Sequence, residues 1–277
     1  MPKHLTQLVR RALRLFLVLM CGGWVVAMAT TQPATQVFME DMTWTELHDR
    51  LAHGSTTVLV PIGGTEQSGP HMALGKHNVR VKFLAGQIAE RLGNAVVAPV
   101  LAYVPEGNTT PPTAHMRFTG TLTIAPDTFE AILAFTAKSF KQHGFHDVFF
   151  LGDHGGYQKN EVHVADKLNK EWAKDDRCRV HALTTYYEAA QEPFSAALRA
   201  KGLSEAEIGT HAGVADTSLL MAVDPSMVRN HALLQPAGSR LPNGVYGDPA
   251  KSSAELGQIG LKIIIDRSVQ AIRAAAR

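Results

Sequence analysis

Three glycine-bearing segments carry most of the side chains able to do chemistry. The first is Gly63-Gly64-Thr65-Glu66-Gln67-Ser68-Gly69-Pro70-His71-Met72-Ala73-Leu74-Gly75-Lys76-His77-Asn78. The second is Gly152-Asp153-His154-Gly155-Gly156-Tyr157, and the third runs His211-Ala212-Gly213-Val214-Ala215-Asp216-Thr217-Ser218. Two imidazoles and a carboxylate, from His77, His154 and Glu66, make a ligand set for Zn²⁺, Mn²⁺ or Fe²⁺ that leaves positions open for water and substrate. The chain has only Cys21 and Cys178, so no thiolate cluster can form and a metal must rest on His, Asp or Glu. A lone loop histidine ordinarily binds nothing; side chains from separate loops converging on one point make a ligand set. Neither Gly63-Gly64 nor Gly155-Gly156 is followed by a P-loop lysine or has G-x-G-x-x-G spacing, which speaks against a phosphate cradle.

Convergence requires a scaffold, and the pattern supplies one. Short β-branched runs at 56–62, 95–100, 148–151 and 180–185 are each followed by polar or glycine loops and then by helical periodicity. Phe129, Ile132, Leu133, Thr136 and Phe140 share one helix face that stops at Gly144; Val81, Leu84, Ile88 and Leu92 share another that stops at Gly93. Trp172 falls in register with Val162, Ala165 and Leu168, a buried helix face. Strands separated by amphipathic helices predict an α/β fold, a three-layer α/β/α sandwich around a mostly parallel sheet. In such sheets ligands bind beyond the carboxyl ends of the strands, where the first two chemical segments lie.

The N-terminus reads differently. Lys3, Arg10, Arg11 and Arg14 precede an apolar run, 15–29, that ends in Ala27-Met28-Ala29. This is the pattern of a cleavable secretory signal over residues 1–29, too short and too glycine-interrupted to remain as a membrane anchor. Met20 before Cys21 argues against lipidation. A polar segment, 30–37, then leads into one domain, 38–277, and the expected location is periplasmic or secreted. Removing residues 1–29 takes away four basic and no acidic residues, leaving 23 Lys+Arg against 25 Asp+Glu, so nucleic acid is not the expected partner.

With these motifs in hand, the sequence resembles the creatininase (creatinine amidohydrolase) family across 38–277. The family signature P-x-G-x-x-E-Q-H-G-P-H-L-P-x-x-x-D is matched by Pro61 to His77, G-H-G-G-N by Asp153 to Tyr157, and H-A-G-x-x-E-T-S by His211 to Ser218. His115-Met116-Arg117-Phe118-Thr119-Gly120-Thr121 and Gly244 to Pro249 are weaker echoes. The resemblance implies a metal-dependent hydrolase of C–N bonds in cyclic amides or formamides, usually a homo-oligomer and often a hexamer. It also implies two metals bridged by an aspartate. Carried over residue by residue, Glu66 and His154 are retained, but Ser68 stands for one histidine ligand, His77 for the bridging aspartate, and Gly156 for a late glutamate. A neutral imidazole offers one lone pair and cannot bridge two cations.

The expectation is therefore one divalent metal per chain, Zn or Mn, on Glu66, His77 and His154. Asp216 is then a fourth ligand or the carboxylate that orients one of the histidines. By the same carry-over His211 is the catalytic histidine, while His71 and His115 orient substrate or support ligands; Ser68, Asp153 and Tyr157 complete the surroundings. Asp153 is expected to cap its loop or pair with a neighbour rather than bind metal, and nothing in 105–112 names a chemical group of the substrate. The substrate is a small molecule, and creatinine fits poorly because Ile208-Gly209-Thr210 stand where the family places a tryptophan. The competing expectation is a secreted relative that lost catalysis and keeps the pocket to bind a metal or small ligand.

Overall fold

A computed structural model describes residues 36–175, 177–233 and 243–276. The signal segment, 1–29, and nearly all of the polar segment lie outside the described residues. The sheet comprises β1 (Thr57–Ile62), β2 (Ala95–Val97), β3 (Asp147–Gly152) and β4 (Arg179–Ala182), all parallel in the order β2-β1-β3-β4. Numbering helices of seven residues or more, α1 is Trp44–Ala52, α2 Lys76–Leu92, α3 Pro126–Gln142, α4 Gln158–Glu171, α5 Thr184–Ala190, α6 Glu192–Arg199, α7 Val214–Val223 and α8 Ala254–Ala275. No helix among the described residues is long and apolar enough to cross a membrane.

Alternation along the strands divides the core into two layers. Leu59, Val97, Phe149 and Leu151 face Val81, Leu84 and Ile88 of α2, with Leu219 of α7 and Ile264 of α8. Val58, Val60, Val96, Val148 and Phe150 face Phe129 and Leu133 of α3 and Val164 and Leu168 of α4. Helices cover both faces, as a parallel sheet requires. Gly93 closes α2 in the left-handed conformation at φ 83°.

Differences from the sequence reading are local. Pro99 cannot donate to the ladder, and β2 stops at Val97. The last run ends at Ala182, and Thr184 and Thr185 enter α5 instead. Trp172 is core, but Val162 is not: α4 buries Glu161, Val164, Ala165 and Leu168, and Val162 lies one residue off that stripe at 38% exposure.

The chain passes from β1 to β2 on one side and then returns to place β3 on the other. The helix after β1, α2, packs on one face and the helix after β3, α4, on the opposite face. A crevice therefore opens between the carboxyl ends of β1 and β3, at the point where strand order reverses. Ile62 pairs with Gly152 at those ends, so the segments 63–78 and 153–157 leave the sheet side by side.

Beneath the crevice, Glu161 is fully buried and both its oxygens lack a hydrogen-bond partner. Burial raises its carboxyl well above the ordinary range. A raised folded-state value gives stability that is present below the unfolded value near 4.5 and lost as pH rises toward the folded one. Glu161→Gln is thus expected to raise Tm at pH 7 and to change it little at pH 4. Thermal unfolding at the two pH values checks this; an equal shift at both would contradict it.

Candidate metal centre

Glu66 leaves β1 four residues after Ile62 and is fully buried, with its two oxygens in different surroundings. Oε1 lies 2.7 Å from His77 Nε2, 3.5 Å from Lys76 Nζ and 3.8 Å from His211 Nδ1. Oε2 accepts no hydrogen bond and faces His115 Nε2 at 3.2 Å and His154 Nε2 at 3.4 Å. Glu106, from the loop after β2, is buried with both oxygens unpartnered, one of them 3.8 Å from His154 Nδ1. Ligand atoms of Glu66, Glu106, His115 and His154 all lie within 4.8 Å of one another. Buried carboxylate oxygens without donors are costly unless something compensates them. A cation between these oxygens and the imidazoles would do so, and the donor set fits Zn²⁺ or Mn²⁺.

Electrostatics agree. Burial, then the Glu66 charge, pushes the Glu106 carboxyl up to about 9. Burial takes His154 down to about 3 and lowers His115, so both rings are neutral at pH 7 and keep a lone pair. For Glu66, burial acts to raise the value, but the Lys76 charge and the His77 hydrogen bond outweigh it and hold the carboxylate ionised.

The Oε1 side is a frame of charges. His77 Nδ1 lies 2.6 Å from Asp153 Oδ2, and Asp153 also accepts from Tyr186 Oη at 2.6 Å and Arg80 Nε at 2.9 Å. Asp216 accepts from Arg80 Nη1 at 2.9 Å, Lys76 Nζ at 3.1 Å and the Ala212 N–H at 3.0 Å. Lys76 and Arg80 stand one turn apart at the start of α2, on the stripe continued by Leu84 and Ile88.

Gln67 orders the remaining histidines. Its amide oxygen accepts from the Gly69 N–H, and its nitrogen donates to Gly244 O and to His115 Nδ1 at 3.0 Å. A neutral His115 so held carries its hydrogen on Nε2, toward Glu66. Nε2 of His211 lies 3.0 Å from the Gln67 main-chain oxygen, to which it donates, leaving Nδ1 as the ring's acceptor. Burial, then the Lys76 charge, lowers His211 to about 4.

The structure thus brings Glu66, His77, His154 and His211 together, with His77 and His154 on opposite oxygens of Glu66. Asp216 pairs with Lys76 and Arg80 and not with a histidine. Asp153 pairs with its neighbours. His71 lies apart, its Nε2 2.9 Å from Thr217 Oγ1, and Ser68 is buried with its hydroxyl unpartnered. Tyr157 Oη donates to Gly63 O at 2.6 Å and accepts the Asp153 and His154 N–H groups, tying the two loops together. Glu106, in the loop after β2, was not singled out by the sequence. Lys76, Arg80 and Gln67 were also missed. Two basic residues on an otherwise apolar stripe were the available signal.

A profile of the creatininase (creatinine amidohydrolase) family matches residues 40–272. The chain belongs to the creatininase family. Creatinine amidohydrolase of Pseudomonas putida is 24% identical over 259 residues, covering 86% of this chain and 96% of the relative. The mycofactocin precursor peptide peptidase of Mycolicibacterium smegmatis is 28% identical over 222 residues, covering 73% and 78%. A crystal structure of creatininase superposes with a TM-score of 0.71 at 22% identity, covering 87% of this chain and 98% of that one, and manganese and zinc–zinc forms match equally well at 0.71.

Within this creatininase fold, a Cβ on Gly156 would lie 3.0 Å from the His154 ring and 3.7 Å from Pro105 O. The neighbour of Pro105, Glu106, brings a carboxylate to that side of His154. A proton and a cation compete for Glu106, so metal affinity is expected to rise with pH toward about 9, by up to about tenfold per unit. Glu106→Gln should flatten this slope and weaken binding more than about tenfold. Competition with a chromophoric chelator between pH 6 and 9 measures both; an unchanged slope in Glu106→Gln would remove Glu106 from the site.

Proposed function

We propose that this protein is a metal-dependent amidohydrolase that cleaves the C–N bond of a compact amide, lactam or formamide with water. The observation that carries the reading is the set of unpartnered buried oxygens of Glu66 and Glu106 facing the neutral His154 ring, with His211 Nδ1 within 3.8 Å of the same carboxylate. Glu66, Glu106 and His154 would hold one divalent ion, Zn or Mn, which is the three-ligand pattern of a catalytic site with a position left for water. His115, turned by Gln67, stands beside it as an N–H donor. His77 and Asp216 belong to the frame that fixes Glu66 and Lys76. Four carboxylates here (Glu66, Glu106, Asp153, Asp216) face two basic side chains, Lys76 and Arg80, so one divalent ion would offset the remaining negative charge. A second would leave excess positive charge in a buried place.

The metal, when bound, supplies Lewis acidity and lowers the pKa of water toward about 7. The chain's residues do the rest. His211, neutral and anchored through Nε2, accepts a proton at Nδ1; its low affinity for that proton makes the imidazolium a ready donor to the departing nitrogen. The frame keeps Glu66 ionised, and His115 offers its N–H from the same wall. Creatinine itself is disfavoured: among the described tryptophans, Trp44 is exposed and Trp172 is in the core, and neither lines the cavities at the site. The proposal includes export by the N-terminal segment and assembly as a homo-oligomer, in keeping with the secretory pattern and the family resemblance.

Metal analysis with a turnover panel of lactams, formamides and cyclic amidines tests this reading. One equivalent per chain is expected, with metal-dependent turnover that His211→Ala lowers by about 10²–10⁴-fold while metal content is kept. Two equivalents per chain would contradict the single-ion site. Metal binding without turnover of any panel member would favour the non-catalytic relative.

A further inference from the structure

Two cavities meet at the site, and both are lined by His115 and His154. They differ in size and chemistry. The smaller, about 200 Å³, lies on the His211 side and is walled by Lys76, Arg80, Asp153 and Asp216. Those four ions pair with one another, so the cavity offers no free charge to a ligand. Its available groups are neutral: the Tyr187 hydroxyl, the Gln191 amide and the Thr210 hydroxyl have no hydrogen-bond partner among the described residues. Gly155 makes room for the first of these, since a Cβ there would lie 2.5 Å from Tyr187 Oη.

The larger cavity, about 650 Å³, extends from the same two histidines in another direction. Pro105, Asn108, Ala114, Ile124 and Ala125 are among its walls, and among the described residues its only charged or titratable side chains are Glu106, His115 and His154, all at the metal end. Pockets that take whole drug-sized ligands measure roughly 300–1,000 Å³. The small lobe is therefore scaled to a ring or a formyl group, whereas the large one would be empty if a ring were the entire substrate. Away from the metal end, a charged group in the large lobe would find no counter-ion among the described residues.

Resting on the amidohydrolase reading, we infer that the substrate is a two-part amide. Its compact, neutral reacting group sits in the small lobe, and a bulky uncharged substituent fills the cavity beyond His115 and His154. Size and neutrality of that substituent are then selected by residues remote from the scissile bond, as binding energy gained away from the reacting centre permits.

Metal-loaded protein should be compared on pyrrolidin-2-one, 5-benzylpyrrolidin-2-one and the 4-carboxybenzyl analogue. The benzyl lactam is expected to exceed the parent in kcat/KM by about tenfold or more, and the carboxylate to forfeit that gain. Ala125→Trp, and separately Asn108→Trp on another wall segment, should bring the benzyl-to-parent ratio to within about twofold. Equal kcat/KM for parent and benzyl compound, or a ratio untouched by both variants, would overturn the inference. Calorimetric binding of the same three compounds separates it from the hydrolytic reading. Tighter binding of the benzyl compound without turnover supports the two-lobed site while counting against hydrolysis; equal or absent binding overturns the two-lobed site.

Discussion

An ionised carboxylate with no solvent exposure is the constraint around which this site is organised. Taking Glu66 out of water costs several kcal/mol, about as much as a small domain's whole margin of stability. Lys76 and His77 offset that cost on Oε1, and they are held in turn by Asp153, Asp216, Arg80 and Tyr186. Removing one member of such a set leaves an uncompensated buried charge, at about 3–5 kcal/mol. Much of what looks like catalytic apparatus is therefore also structural, and its members cannot be exchanged one at a time. Oε2 is the exception: the frame stops there, leaving one face of the carboxylate for something the chain does not provide.

The frame's position follows from topology. Strand order reverses between β1 and β3, and α2 and α4 diverge onto opposite faces of the sheet. The first turn of α2 thereby brings Lys76, His77 and Arg80 to the crevice from one side. The turn before α4 brings Asp153 and His154 from the other. Tyr157 joins the two loops by bonding Ile62 O and Gly63 O while accepting from Asp153 and His154. A rigid parallel sheet beneath and a hydroxyl clamp above fix distances that loops alone would not hold.

Much of this was legible in the sequence, and the gaps have physical causes. Short β-branched runs placed the strands, and apolar stripes with glycine stops placed the helices α2 and α3, because burial against the sheet leaves a local mark in the sequence. The loops after β1 and β3 stood out because both were rich in glycine, histidine and carboxylate. Glu106 did not, since a single acidic residue among prolines and threonines looks like any solvated loop; only the return of the chain from β2 buries it. His77 and His154 could be brought to one carboxylate by reasoning about strand ends. Which of its two oxygens each ring faces depends on side-chain directions that no spacing encodes. Val162 was misplaced for a simpler reason, a stripe drawn one residue away from the buried one.

Ligand geometry is a statement about where oxygen and nitrogen atoms lie, not about which segment carries them. The family resemblance places a glutamate where this chain has Gly156, and read locally that is a loss. In three dimensions the absent side chain leaves the space beside His154 open toward Pro105, and Glu106 fills that neighbourhood from a different strand end. Burial, with the ionised Glu66 beside it, holds the Glu106 proton up to about 9, and a cation in place of that proton would let both carboxylates ionise. A carboxyl group is thus supplied from a different loop, within reach of the same imidazole. It also makes the cation, rather than a hydrogen bond, the natural partner of the face that the buried frame leaves open.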